Sequence, residues 1–88
     1  MTIELRLIRY ALALGEHGNF ARAAEALQIA QPSLSRGIAS LETQLGVPLF
    51  DRGPKGVVPT SFGRVLLDCG ERVLQREAHL RHQIGMLA

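Results

Sequence analysis

The sequence predicts a mainly α fold: three helices, a two-stranded hairpin and one long final helix. Three observations predict it. Apolar residues recur every three to four positions in three separate stretches before Gly46. A Gly-Pro-Lys-Gly turn at residues 53–56 then separates two short runs, one holding Leu49 and Phe50, the other Val57 and Val58. Finally, Leu66, Val73, Leu80 and Leu87 stand seven residues apart in the C-terminal stretch, the spacing of a helical seam.

The first helix is expected over residues 3–14, where Leu5, Ile8 and Leu12 share a face with Leu7, Ala11 and Leu14 beside it. Gly15 and Gly18 punctuate its end. Asn19 then precedes an alanine-rich segment, and an Asn side chain at that point accepts from the open amides of a first turn. The second helix is about two turns long, with Phe20, Ala23, Ala24 and Leu27 as its buried stripe. The small residues at 23 and 24 let another helix cross close by. After Gln28, Ile29 and Ala30, Pro32 falls in the first turn of the third helix, where its missing amide costs nothing. That helix covers residues 31–45. Leu34, Ile38, Leu41 and Leu45 form its apolar face, Ser33, Arg36, Gly37 and Ser40 lie opposite, and Gly46 closes it.

Residues 49–59 read as two short strands around the glycine-flanked turn, with Lys55 at the tip. Pro59 confines the second strand to a sheet edge. Thr60 or Ser61 can cap the last helix, from about Phe62 to Leu87. Its Leu66–Val73–Leu80–Leu87 seam is half of a coiled-coil pattern. The other half is poor, with Cys69, Arg76 and Gln83 in one register and Gly70, Glu77 and Ile84 in the other.

Composition narrows the classes. The 88 residues suit one small domain, and 47% hydrophobic content supports a packed core. No apolar run approaches the roughly 20 residues of a membrane span, no export signal is recognisable, and the single Cys69 forms no internal disulfide. A cytoplasmic protein that does not engage membranes is expected. Net charge is +2, and the whole excess lies in residues 31–64, where Arg36, Arg52, Lys55 and Arg64 outnumber Glu42 and Asp51. A polyanionic partner is compatible with that placement.

A short helix, a tight turn and a second helix with a polar outer face make a helix-turn-helix, and the hairpin makes it winged. The third helix can lie in a DNA major groove, with its amide-rich N-terminus toward phosphate. Short side chains at Ser33 and Ser35 let its backbone approach the bases. Gly37 costs about 1 kcal/mol of helix stability relative to Ala. Close approach to DNA, close approach to a neighbouring element, and simple tolerance all account for it.

The segment GNFARAAEALQIAQPSLSRGIASLETQLGVPLFDR resembles the signature of LysR-type transcriptional regulators. The matching pieces are Asn19-Phe20, Ala23-Ala24, Gln31-Pro32, Ser35-Arg36, Ile38, Leu41-Glu42, Leu45-Gly46, Leu49-Phe50 and Arg52, with Thr60 and Gly63 at the start of the linker helix. The resemblance implies a winged helix-turn-helix DNA-binding domain over residues 1–59 and a linker or dimerisation helix over residues 60–88. It further implies a homodimer on a double-stranded operator with an interrupted dyad, and a tetramer within reach of a full-length protein. A C-terminal effector-sensing domain usually accompanies this head. Nothing here resembles it, so the chain reads as an isolated head stopping inside the expected linker helix. Two positions depart from the family pattern. Ala30 stands where a Ser or Thr cap is frequent, leaving the first amides of the third helix to Gln31 or to phosphate. Gly37 stands where a longer polar residue is common.

Arg36 is the leading base reader, since a guanidinium grips guanine bidentately. Gln31 reads adenine or caps the helix. Pro32 and Ser33 make close contacts in the groove, and Ser35 meets phosphate or base. Arg52 and Lys55 place the wing on the backbone or in the minor groove, adding affinity rather than sequence reading. Asn19 and Thr60 are caps that can also face phosphate, and Arg22 and Arg64 are weaker candidates. Leu66, Val73, Leu80 and Leu87 are the dimerisation residues.

The alternative is a winged helix that serves only protein interaction or dimerisation. Such a surface should expose large apolar residues on the third helix, where this one is small, polar and basic. An enzyme is not expected. Cys69 reads as a buried seam residue without a base, and His17, His79 and His82 form no metal pattern. No cofactor is expected.

Overall fold

A computed structural model describes residues 2–88. The order is α1 (Leu5–His17), α2 (Phe20–Leu27), α3 (Gln31–Leu45), β1 (Phe50–Gly53), β2 (Gly56–Pro59) and α4 (Ser61–Leu87). This is the winged helix-turn-helix with a long final helix that the sequence predicts.

Local chemistry sets most boundaries. Asn19 caps α2, its side-chain oxygen accepting from the Arg22 amide at 2.9 Å. Of the two candidate caps for α4, Thr60 is the one used. Its hydroxyl accepts from the Gly63 amide at 3.1 Å and donates to the Pro48 carbonyl at 2.7 Å. Gly18 and Gly46 end α1 and α3 in the left-handed conformation, at φ 64° and 72°. In the wing, Phe50 pairs with Pro59, Asp51 with Val58, Arg52 with Val57 and Gly53 with Gly56, leaving Pro54-Lys55 as a two-residue turn.

The core joins α1, α2, α3 and the entry to the wing. Leu14, Leu34, Ile38, Leu41 and Leu49 are its largest fully enclosed side chains, each stabilising the fold by about 1.5–3 kcal/mol. Ala23 and Ala24 are buried as expected. The stripe of α1 is turned from its expected position. Leu7, Ile8, Tyr10, Ala11 and Leu14 are buried, whereas Leu5 and Leu12 are only half-buried.

Four further readings are corrected. Gly15 lies within α1 instead of ending it, and a Cβ there would come within 2.8 Å of Leu67 Cδ1. Leu45 is 37% exposed, outside the core. Cys69 is exposed, not buried. Gly37 faces inward, where a Cβ would sit 2.6 Å from Tyr10 Cδ2 and 3.1 Å from Leu7 Cδ2. Its lack of a side chain therefore serves the crossing of α3 over α1 and removes no base contact.

The N-terminal half of α4 packs back on α1. Ile8 abuts Gly70, where a Cβ would lie 2.8 Å from Ile8 Cγ2, and Arg9 reaches Glu77 at 3.6 Å. Among the described residues, no helix is long and apolar enough to cross a membrane.

Candidate nucleic-acid interface

The inward set Leu34, Gly37, Ile38 and Leu41 fixes which side of α3 faces out. Gln31, Pro32 and Arg36 are exposed, and Ser33 and Ser35 are half-buried at the margins of the same face. Ala39 and Thr43 are exposed further along. Sequence reasoning did not single them out, although they follow Pro32 and Arg36 at the helical repeat. Arg36 Nη2 donates to Ser33 Oγ at 3.4 Å, a long, exposed bond that leaves the guanidinium movable.

The N-terminus of α3 has no side-chain cap, because Ala30 stands there. Gln31 does not fill the role, and the amides of Ser33 and Leu34 turn back to the Ala30 carbonyl at 3.0 and 3.3 Å.

The far end of α3 is latched to the wing. Glu42 Oε2 accepts from the amide of Leu49 at 2.7 Å and, more weakly, from that of Phe50 at 3.4 Å. A charged acceptor on backbone donors gives a stronger hydrogen bond than a neutral one. The spacing from 42 to 49 gave no local signal of this contact. Next to it, Gly63 lies against the Leu49 carbonyl so closely that no Cβ fits, and Thr60 N donates to that carbonyl at 2.9 Å.

At the other end the wing leans on the α1–α2 turn. Val57 N donates to the Gly18 carbonyl at 2.9 Å, and a Cβ on Gly56 (φ 114°) would sit 2.7 Å from that same oxygen. Arg52 lays its guanidinium 4.5 Å above the Phe20 ring. Lys55 is exposed at the tip. His17, Asn19 and Arg22 face Lys55 across a polar cleft between the turn and the wing.

The predicted site residues thus fall into two groups. Gln31, Pro32, Ser33, Ser35 and Arg36 gather on one end of α3; Asn19, Arg52 and Lys55 gather where the wing meets α2. Thr60 stands apart, its hydroxyl engaged with Pro48 and Gly63. Among the described residues, no group of three or more His, Cys, Asp or Glu is placed to hold a metal ion. Of the four seam residues, Leu66 is half-buried against the core, while Val73, Leu80 and Leu87 are 43%, 60% and 88% exposed.

A helix-turn-helix with a small, polar, basic outer face, braced by a basic wing, defines a DNA-binding domain of the winged helix-turn-helix class. Residues 5–64 match the family model described as bacterial regulatory helix-turn-helix protein, lysR family. The chain belongs to the LysR family. The SDS degradation transcriptional activation protein of Pseudomonas sp. is 48% identical over 84 residues, which are 96% of this chain and 28% of that protein. Two solved structures are similar throughout. The BenM DNA-binding domain in complex with catB site 1 DNA has a TM-score of 0.92 at 36% identity, covering 96% of this chain and 94% of that one. The CbnR DNA-binding domain in complex with DNA has a TM-score of 0.91 at 32% identity, covering 96% and 97%. The chain is a LysR-type DNA-binding domain, not an enzyme, and it spans less than a third of the length of the Pseudomonas regulator.

Proposed function

We propose that the chain binds double-stranded operator DNA sequence-specifically, as the DNA-reading part of a cytoplasmic transcriptional regulator. Residues 1–59 form the reading unit and residues 60–88 the dimerisation helix. In this reading α3 enters the major groove and the wing lies on the backbone or in the minor groove. Two copies, joined through α4, engage the halves of a dyad-related site. The observation that carries the reading is the outer face of α3: uncovered, without large apolar side chains over Gln31–Arg36, and centred on the exposed Arg36 guanidinium.

The roles follow from position. Arg36 reads a base edge, with Gln31 beside it; Pro32, Ser33 and Ser35 allow close approach. The Gln31 amide, in the uncapped first turn of α3, is left to meet a phosphate. Arg52 and Lys55 contact the backbone, Asn19 sits beside them at the start of α2, and Thr60 fixes the entry to α4.

Selection from random-sequence duplex pools tests the reading, with Arg36→Ala in parallel. A dyad-related motif, relaxed at one base pair per half-site in the mutant by about 1–3 kcal/mol, is the expected result. Salt-sensitive retention with no motif in either protein would overturn sequence-specific recognition by this domain.

A further inference from the structure

We infer that Phe20 is a positioning residue for the wing: its ring holds the Arg52 guanidinium in the place from which it meets the DNA backbone. This rests on the reading above, in which the wing meets DNA. Arg52 is exposed and sits in a strand of only four residues, Phe50–Gly53. An arginine so placed would ordinarily sample many rotamers. Here its guanidinium lies 4.5 Å from the centroid of the Phe20 ring, within the range of a cation–π contact. Phe20 is itself held, as the first residue of α2 and half-buried against the core.

A second tie fixes the strand across from Arg52. Val57, its register partner, donates to the Gly18 carbonyl at 2.9 Å, two residues before Phe20. Both ends of the arginine are thereby referred to the same turn, its backbone through Val57 and its guanidinium through Phe20. A guanidinium stacked by one face keeps its edge N–H donors for a phosphate oxygen, so stacking and phosphate binding do not compete. Holding the side chain in advance removes the ordering loss on binding.

The test is fluorescence anisotropy on a random-sequence duplex of about 30 base pairs, between roughly 50 and 200 mM salt, where backbone contacts dominate. Arg52→Ala should weaken binding and flatten the salt dependence by about one phosphate contact. Phe20→Leu should weaken binding about 2- to 10-fold with the salt slope unchanged, and Phe20→Tyr, which keeps the ring, should bind like the parent. In the Arg52→Ala background, Phe20→Leu should cost nothing more. An equal loss from Phe20→Leu in both backgrounds would show that the ring only packs, and would overturn the inference. An unchanged slope in Arg52→Ala would overturn the wing contact itself and the inference with it. Arg52→Lys keeps the charge without the planar group and does not depend on Phe20→Leu folding. It should weaken binding at constant slope, and parental affinity in this variant would also overturn the inference.

Discussion

Gly37→Ala distinguishes an inward from an outward glycine by the sign of one measurement. On an outward helix face, alanine would stabilise the domain by about 1 kcal/mol through helix propensity alone. The structure puts the new methyl 2.6 Å from Tyr10 Cδ2, 3.0 Å from Tyr10 Cε2 and 3.1 Å from Leu7 Cδ2. Tyr10 cannot swing away cheaply: it is buried, and Arg6 holds its hydroxyl at 3.3 Å and lies 5.4 Å from its ring centroid. Overpacking of this kind costs about 1–3 kcal/mol. Set against the propensity gain of about 1 kcal/mol, the net effect is a destabilisation of about 1 kcal/mol. In a domain of this size that lowers Tm by roughly 4–8 °C. Thermal and urea unfolding followed by circular dichroism, at one fixed protein concentration, measures it. In a Tyr10→Ala background the two closest approaches disappear and only the 3.1 Å approach to Leu7 Cδ2 remains, so the same alanine should cost less than in the parent. A rise in Tm for Gly37→Ala in the parent would refute the packing argument.

Two other outcomes follow from polar contacts. Glu42→Gln replaces a charged acceptor of the Leu49 amide with a neutral one and should destabilise the domain by about 1 kcal/mol. Amide exchange should show the loss first at Leu49 and Phe50, and unchanged protection there would count against the latch. For Glu77, the hydrogen bonds from Arg81, together with the charges of Arg81 and Arg9, outweigh desolvation and hold its carboxyl below the usual glutamate range. The stability it contributes is therefore present above the ordinary glutamate pKa and is lost as pH falls through the depressed one. Carboxyl NMR titration should place Glu77 below an ordinary glutamate, returning toward it in Arg81→Gln; an identical midpoint in both proteins would contradict the assignment.

The sequence revealed what local chemistry decides. Asn19, Pro32, Gly46 and Thr60 mark helix ends because their effects act within one turn, and the glycine-flanked Pro54-Lys55 turn fixes the wing register by itself. Gly37 was legible in principle. Positions 34, 37, 38 and 41 form one face, but a residue without a side chain adds nothing to a hydrophobic pattern. Tyr10 was missed because its hydroxyl masks a ring that packs as core. Arg52 on Phe20 and Glu42 on the Leu49 amide join residues brought together only by the tertiary fold. No periodicity encodes such contacts.

The exposed part of α4 sets the terms for the proposed dimer. Every residue from Ala78 to Ala88 is exposed, a stretch shorter than the roughly 12–15 residues at which even good isolated helices become marginal. It is propagated from the half packed on α1 and supported by the Glu77–Arg81 pair. Leu80, Ile84 and Leu87 form an apolar stripe along it. Covering those three side chains on each of two copies would contribute about 9–18 kcal/mol in gross transfer free energy if burial were complete. Association costs about 4–15 kcal/mol before side-chain ordering, so the stripe alone is marginal. More apolar surface must be covered, and the chain exposes it at the other end of the same helix. Leu45, Phe62 and Val65 line an apolar groove with Val47 and Cys69. Dimerisation through α4 therefore should require both ends: Ile84→Asp and Val65→Asp should each shift the domain to monomer in sedimentation velocity. A dimer that survives Val65→Asp would mean that the stripe associates without the groove, and the area argument would fail.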